Sequence, residues 1–285
     1  MTEIRNLKWN PSGEAVTLTL YGGTVYGLTG PGSNLFAEQL NGTVPIDPGC
    51  IRVGGAELSS ARKRIGFAFN PPLFCEELSP YEFLCMSAKL RCSDSGLLRK
   101  IPHLLEEGNL TDVRDRAIRR LNLWQRKTLS VLAAAVGNTE LLVIENLFED
   151  ADEPTRKMLF EVLDAVRGES TVLLTGREKD LSPFCDKILR FRDGRLQSDD
   201  RKTPETGTGL VWQLLVRGER EAILRALEKV EGIRSCRFGM RSDTGERRLN
   251  LITEPNLPLD VELRDALAKE NCELRELKRE GVEEA

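Results

Sequence analysis

The sequence predicts an α/β fold joined to a smaller α+β unit, and three observations carry that prediction. Leu141–Ile144 and Thr171–Thr175 run apolar at their centres without alternation, as strands do when both faces of a parallel sheet are covered. Between them, Asp152–Arg167 places Met158, Leu159, Val162, Leu163 and Val166 on one helical face. Past a polar stretch at 198–208, the chain reads strand, helix, strand, strand, helix, strand, the order of a ferredoxin-like sandwich. The predicted division is therefore a first domain at 1–197, a linker at 198–208 and a second domain at 209–285.

Taken in order, residues 1–28 read as β. Val16, Leu18 and Leu20 alternate with threonines, and Thr24–Leu28 forms the next strand after the Tyr21-Gly22-Gly23 turn. Trp9 lies upstream in a short extended piece and reads as packing rather than as a base-stacking residue. Cys50–Gly55 is a short strand and turn. Arg64–Phe69 is a strand that ends at Asn70-Pro71-Pro72, because prolines stop a hydrogen-bonded ladder. Ser79-Pro80-Tyr81-Glu82 opens a helix, with Ser79 as cap, Pro80 in the first turn and Glu82 closing a capping box. A helical region follows to about 136, with helices over 112–120 and from about Gln125. Lys187–Phe191 and the Asp193-Gly194-Arg195 turn finish the first domain.

Composition narrows the function. Of 285 residues, 40% are hydrophobic and 30% charged, with a net charge of −4, so no strongly basic face is available for nucleic acid. No apolar run approaches the roughly 20 residues that span a bilayer, and the N-terminus lacks the apolar core of a secretory signal. The seven cysteines are scattered, never in a C-x-x-C pair, and read as reduced thiols rather than zinc ligands. His103 is the only histidine, which excludes histidine-based metal clusters and Ser-His-Asp chemistry. No metal site is expected.

Gly30-Pro31-Gly32-Ser33-Asn34 lies between a strand and a helix, the position of a phosphate-binding loop. Such a loop, G-x-x-x-x-G-K-[ST], wraps phosphates in backbone N–H groups and reaches them with a lysine. Here the glycines are two residues apart. Ser33 stands where the lysine would be, and Asn34 stands in the Ser/Thr position that holds magnesium. Gly30-Pro31-Gly32 reads as a tight turn. Glu145 and Asn146 emerge at the end of the buried 140–144 strand, where open α/β sheets bind ligands.

The order and spacing of these landmarks resemble the nucleotide-binding subunit of ABC transporters over roughly residues 1–197. The segment Pro71–Glu82 looks like that family's start of its helical subdomain, here about 79–136. Thr171–Thr175, Phe184–Ile188 and Asp193–Leu196 look like its closing strand-helix-strand. The part beyond 207 is similar to the accessory domain of ABC-2-type exporter ATPases. The resemblance implies a P-loop NTPase-like ABC ATPase fold. It also implies a correspondence at which almost every ATP-handling residue has changed. The P-loop Lys and Ser/Thr match Ser33 and Asn34, and the Q-loop glutamine matches Asn70. The signature L-S-G-G-Q matches Leu121-Asn122-Leu123-Trp124-Gln125, the Walker B Asp-Glu pair matches Glu145-Asn146, and the switch histidine matches Gly176. Asp152 is retained. Trp124 reads equally as an interface anchor or as core.

The expectation is a non-catalytic ABC ATPase-like subunit, with no cofactor bound. The resemblance implies that it sits at the cytoplasmic face of a membrane as a peripheral subunit. Its partners are a transmembrane permease subunit and a second ABC ATPase subunit, in a hetero- or homodimer. A permease helix would meet a groove at Asn70, Pro71, Pro72, Leu73, Phe74 and Tyr81. Two alternatives stay open: a divergent ATPase using Glu145 and Asp152 to power export, and a soluble scaffold with no membrane partner.

Overall fold

The computed structural model describes residues 1–8, 14–91, 96–137, 139–192, 195–200, 210–241, 246–254 and 259–282. Trp9, the 193–194 turn, Cys92 and most of the 198–208 stretch lie outside the described residues.

The first unit, Met1–Lys202, opens with strands β1 (Thr2–Leu7), β2 (Val16–Leu20) and β3 (Val25–Thr29), then helix α1 (Ser33–Asn41). Strands β4 (Ile51–Val53) and β5 (Ala56–Glu57), a single turn α2 (Leu58–Ala61) and strand β6 (Ile65–Ala68) follow. Next come α3 (Pro80–Arg91), α4 (Gly96–Glu107) and α5 (Leu123–Ala135). The unit closes with β7 (Leu141–Ile144), α6 (Glu153–Val166), β8 (Thr171–Thr175), the short α7 (Glu178–Leu181), β9 (Lys187–Arg192) and β10 (Arg195–Asp200).

Two sheets share one core. The small one is antiparallel in the order β2-β1-β4-β5. The larger runs β10-β9-β3-β8-β7-β6 and is parallel except at β10. Phe36 and Leu40 of α1 cluster with Ile4, Leu20 and Ile51 of the small sheet and with Leu141, Val143 and Leu173 of the larger one. Every residue of β7 and β8 is buried, as their unalternating runs require. The capping box at the start of α3 forms: Ser79 N–H donates to Glu82 Oε2 at 2.8 Å and Glu82 N–H to Ser79 Oγ at 3.3 Å.

Two segments depart from the sequence reading. The 112–120 stretch is not an α-helix but a pair of 3₁₀ turns, Thr111–Val113 and Ile118–Arg120, with Ala117 extended between them. Its backbone donors are used elsewhere: Ile118 N–H bonds Leu78 O and Arg119 N–H bonds Glu76 O. Residues 198–200, polar enough to read as linker, belong to β10 and pair with Leu189, Ile188 and Lys187.

The second unit, Thr203–Ala285, runs β11 (Leu210–Arg217), α8 (Arg220–Leu227), β12 (Ile233–Arg241), β13 (Glu246–Thr253), α9 (Leu259–Lys269) and β14 (Glu273–Val282). Its sheet has the order β12-β13-β11-β14, and every neighbouring pair is antiparallel. Ile223, Leu227, Leu263 and Leu267 of the helices pack on Leu214, Val216, Leu249 and Leu251 of the sheet.

Candidate functional site at the strand ends

The carboxyl ends of four parallel strands lie at one level and are tied by backbone hydrogen bonds. Glu145 N–H donates to Ala68 O (2.9 Å), Asn146 N–H to Thr175 O (3.1 Å), and Gly176 N–H to Leu28 O (3.3 Å). The loops leaving β3, β6, β7 and β8 therefore start together. This gathers the 30–34 loop, Asn70, Glu145, Asn146 and Gly176 along one edge of the sheet, where α/β sheets bind ligands.

In the 30–34 loop, Gly30 has φ +92°. A Cβ on it would lie 2.2 Å from the Phe191 carbonyl oxygen on β9, so only glycine fits. Gly32 is the N-cap of α1 and offers no capping side chain. Ser33 is 8% exposed, and its hydroxyl turns back to donate to Gly30 O at 2.9 Å. Its N–H reaches the same oxygen at 3.1 Å. The loop thus closes on its own carbonyl. Asn34 points to solvent.

Glu145 is half-buried and accepts the Asn70 N–H at 3.4 Å. Burial pushes its carboxyl above the usual range, and the charge of Glu38 on α1 adds to this. The Asn70 side-chain amide donates to the Glu149 carboxylate. Asn146 sits at φ +44°, a left-handed conformation that asparagine tolerates better than most residues. Asp152 caps α6, accepting the Thr155 N–H at 3.0 Å. Hydrogen bonds from the Thr155 side chain and backbone hold its carboxyl below the usual range. Its position is explained by capping alone.

The residues 121–125 form the start of α5. Leu121 is buried and Asn122 is the N-cap. A capping box joins Asn122 Oδ1 to the Gln125 N–H (2.9 Å) and Gln125 Oε1 to the Asn122 N–H (3.0 Å). Leu123 is 47% exposed. Trp124 is half-buried, with an ammonium 5.6 Å from its ring centroid.

That ammonium belongs to Lys127, which sequence reasoning did not single out. Lys127 is only 5% exposed, and its Nζ donates to three carbonyls of the loop after β7: Glu149 (2.8 Å), Leu147 (3.0 Å) and Asn146 (3.3 Å). Burial lowers its pKa, against the opposing charges of Glu149 and Asp150. With Thr128, Leu129 and Ser130 also buried on α5, the ammonium requires polar partners, and those it finds are main-chain oxygens that no side-chain pattern reveals.

The segment 70–81 is fastened rather than open. Phe74 meets Phe83 edge-on at 5.0 Å and lies under the Arg126 guanidinium at 5.2 Å. Arg126 also binds the Glu76 carboxylate through two nitrogens, and Arg119 binds Glu77. Tyr81 is half-buried with Arg114 4.6 Å over its ring. Of the residues assigned to a permease groove, Pro71 and Leu73 face solvent, Leu73 at 68%. Asn70, Pro72, Phe74 and Tyr81 are half-buried. Among the described residues no helix is long and apolar enough to cross a membrane, and no group of three His, Cys, Asp or Glu is placed to hold a metal ion.

No protein-family profile matches the chain. A putative ABC transporter ATP-binding protein of Pyrococcus furiosus is 24% identical over 226 residues, 73% of this chain and 80% of that protein. The linearmycin resistance ATP-binding protein of Bacillus subtilis is 24% identical over 230 residues, 76% of this chain and 74% of its own. Among solved structures, an ATP-binding subunit of an ABC transporter superposes with a TM-score of 0.62 at 18% identity, over 70% of this chain and 90% of that one. A dimeric ATP-binding cassette in a post-hydrolysis state with ADP and Pi gives 0.60 at 16% identity, over 71% and 99%. Sequence relatives and structural neighbours thus support the same family, and the chain has the α/β fold of an ABC transporter ATP-binding subunit.

Proposed function

We propose that this chain is an ABC ATPase-like subunit of a membrane transport complex that does not hydrolyse ATP, and that it serves as a structural or regulatory partner of a permease. The observation that carries this reading is the Ser33 hydroxyl folded back onto Gly30 O, at the position where a phosphate-binding lysine would reach outward. A charge-assisted hydrogen bond contributes about 1.5–3 kcal/mol, so its loss alone weakens binding by tenfold or more. The neighbouring changes act in the same direction. Asn146 has no carboxylate to take a proton from water, and Gly176 has no side chain to hold a γ-phosphate. Leu123 and Trp124 put bulk at the start of α5, where glycines would let a partner's nucleotide approach. Both halves of a shared site are therefore impaired, the one this chain would keep and the one it would lend.

On this reading the subunit is peripheral at the cytoplasmic face and pairs with a second ABC ATPase subunit as well as a permease. The second unit, with its βαββαβ order and antiparallel β12-β13-β11-β14 sheet, serves as a ferredoxin-like accessory domain.

Calorimetric titration of the purified chain with Mg-ATP tests the proposal. No saturable heat is expected up to about 1 mM, the weak end of the affinity scale. Micromolar binding with turnover would overturn it. Capture of a permease subunit that is lost in Leu73→Glu supports the membrane role and rejects a free scaffold. One observation favours a divergent ATPase instead: the half-buried Glu145 carboxyl, its pKa raised, at a strand end. In that case hydrolysis is measurable and Glu145→Gln abolishes it.

A further inference from the structure

Arg126 and Lys127 are consecutive residues on the first turns of α5, yet they serve different loops. Arg126 holds the segment after β6: its guanidinium binds Glu76, covers the Phe74 ring and donates to Ile118 O at 3.2 Å. Lys127 holds the segment after β7 through the Asn146, Leu147 and Glu149 carbonyls. The two segments also bind each other directly, since Asn70 gives its N–H to Glu145 and its side-chain amide to Glu149. The contacts close a ring. It runs from Lys127 to the Glu149 backbone, through the Glu149 carboxylate to Asn70, along the chain to Phe74 and Glu76, and back through Arg126.

We infer that Lys127 is a positioning residue: an internal cation that, with Arg126, sets the loops at 70–78 and 145–150 as one body in the absence of any nucleotide. Three features support this. A buried ammonium costs several kcal/mol unless its donors are satisfied, and Lys127 spends its donors on three carbonyls of one loop. A backbone carbonyl cannot titrate or move away as a side chain can, so the loop is gripped by its main chain. The ring also links the strand ends to the segment carrying exposed Leu73, the residue offered to a partner. This deepens the proposed function and rests on it for its use: a subunit that binds no nucleotide needs another means of keeping its partner-facing segment set.

Hydrogen exchange of the full chain, read by mass spectrometry, tests the ring. In the wild type the hydrogen-bonded amides of the two segments, Asn70 and Leu78 in 70–78 and Glu145, Asn146 and Glu149 in 145–150, are expected to be protected without ligand. Lys127→Met is expected to speed exchange at 145–150 tenfold or more, and also at 70–78, which Lys127 does not touch. Protection at 141–144 and 171–175 stays unchanged. Lys127→Arg, which keeps the charge and its donors, restores much of the protection. A folded Lys127→Met whose 70–78 segment exchanges like the wild type would overturn the inference. Arg126→Gln decides the matter should Lys127→Met not fold. It opens the ring at its half-exposed side, and faster exchange at both 72–78 and 145–150 is expected. Unchanged exchange at 145–150 would overturn the inference. A parallel sample with Mg-ATP separates the two proposals, because slowed exchange at 30–34 would sink the nucleotide-free reading while leaving the ring standing.

Discussion

At the scale of single residues, the side chains at the strand ends have found uses in the protein's own structure. Asp152 caps α6, and replacing it with alanine is expected to destabilise the protein, whereas Asp152→Asn, an equal cap, costs little. Chemical denaturation of the two variants checks this. A catalytic or metal-binding aspartate would show the same indifference to Asn only in stability, not in turnover. Glu145 gives a test with a sign. Its folded pKa is raised by burial, so the native state binds the proton more tightly than the unfolded chain does. The stability tied to this group is fully present below the unfolded pKa and is lost as pH rises through the folded one. Glu145→Gln, which stays neutral, is therefore expected to raise the melting temperature at pH 7, and the gain should shrink toward zero at about pH 4. A gain independent of pH would show that burial of the charge is not the cause. Ser33, Asn70 and Gly176 could be placed from sequence because their neighbours are strands. Lys127 was missed because its three partners lie about 20 residues downstream and are main-chain atoms, to which side-chain pattern is blind.

At the scale of elements, the helix at 123–135 shows how local chemistry and burial meet. Asn122 and Gln125 close a capping box, and Asn122→Ala is expected to destabilise by about 1 kcal/mol, measured by denaturant midpoint at constant m. β7 is the opposite case, fixed by packing: Leu142 is fully buried between covered faces, and Leu142→Ala is expected to cost about 2–5 kcal/mol. Strands such as β7 and β8 were legible because an unbroken apolar run has few other homes in a protein of this size. The start of α3 was legible because Ser79 and Glu82 bond each other across three residues. The 112–120 stretch was not. Its helical composition is overridden by Leu78 O and Glu76 O, which take the amides of Ile118 and Arg119 from some 40 residues away in sequence. For a similar reason 198–200 looked like linker, since an edge strand such as β10 needs only one partner and tolerates polar side chains.

At the scale of the whole molecule, two compact units each carry an apolar core of their own, one built around Phe36, Leu40 and Val143 and the other around Leu214, Leu249 and Leu263. Each has what independent folding requires. Residues 1–202 and 203–285 expressed separately are expected to unfold cooperatively, the smaller with the lower stability because it buries a smaller share of its surface. Loss of structure in either isolated unit, seen by circular dichroism, would contradict this. The architecture was readable because hydrophobic pattern alone specifies layers. The strand-end residues could be placed from sequence, but the directions in which Ser33 and Asp152 point their oxygens, back to Gly30 O and onto the Thr155 N–H, came only from the structure.

The carbonyl of Phe191 stands where any side chain at position 30 would have to go. That glycine is thus owed to a neighbouring strand, and a mutant library selected for folding alone would hold it constant while Asn34 drifts. Persistence of a loop glycine in descendants of this chain would testify to masonry, not to a surviving reaction.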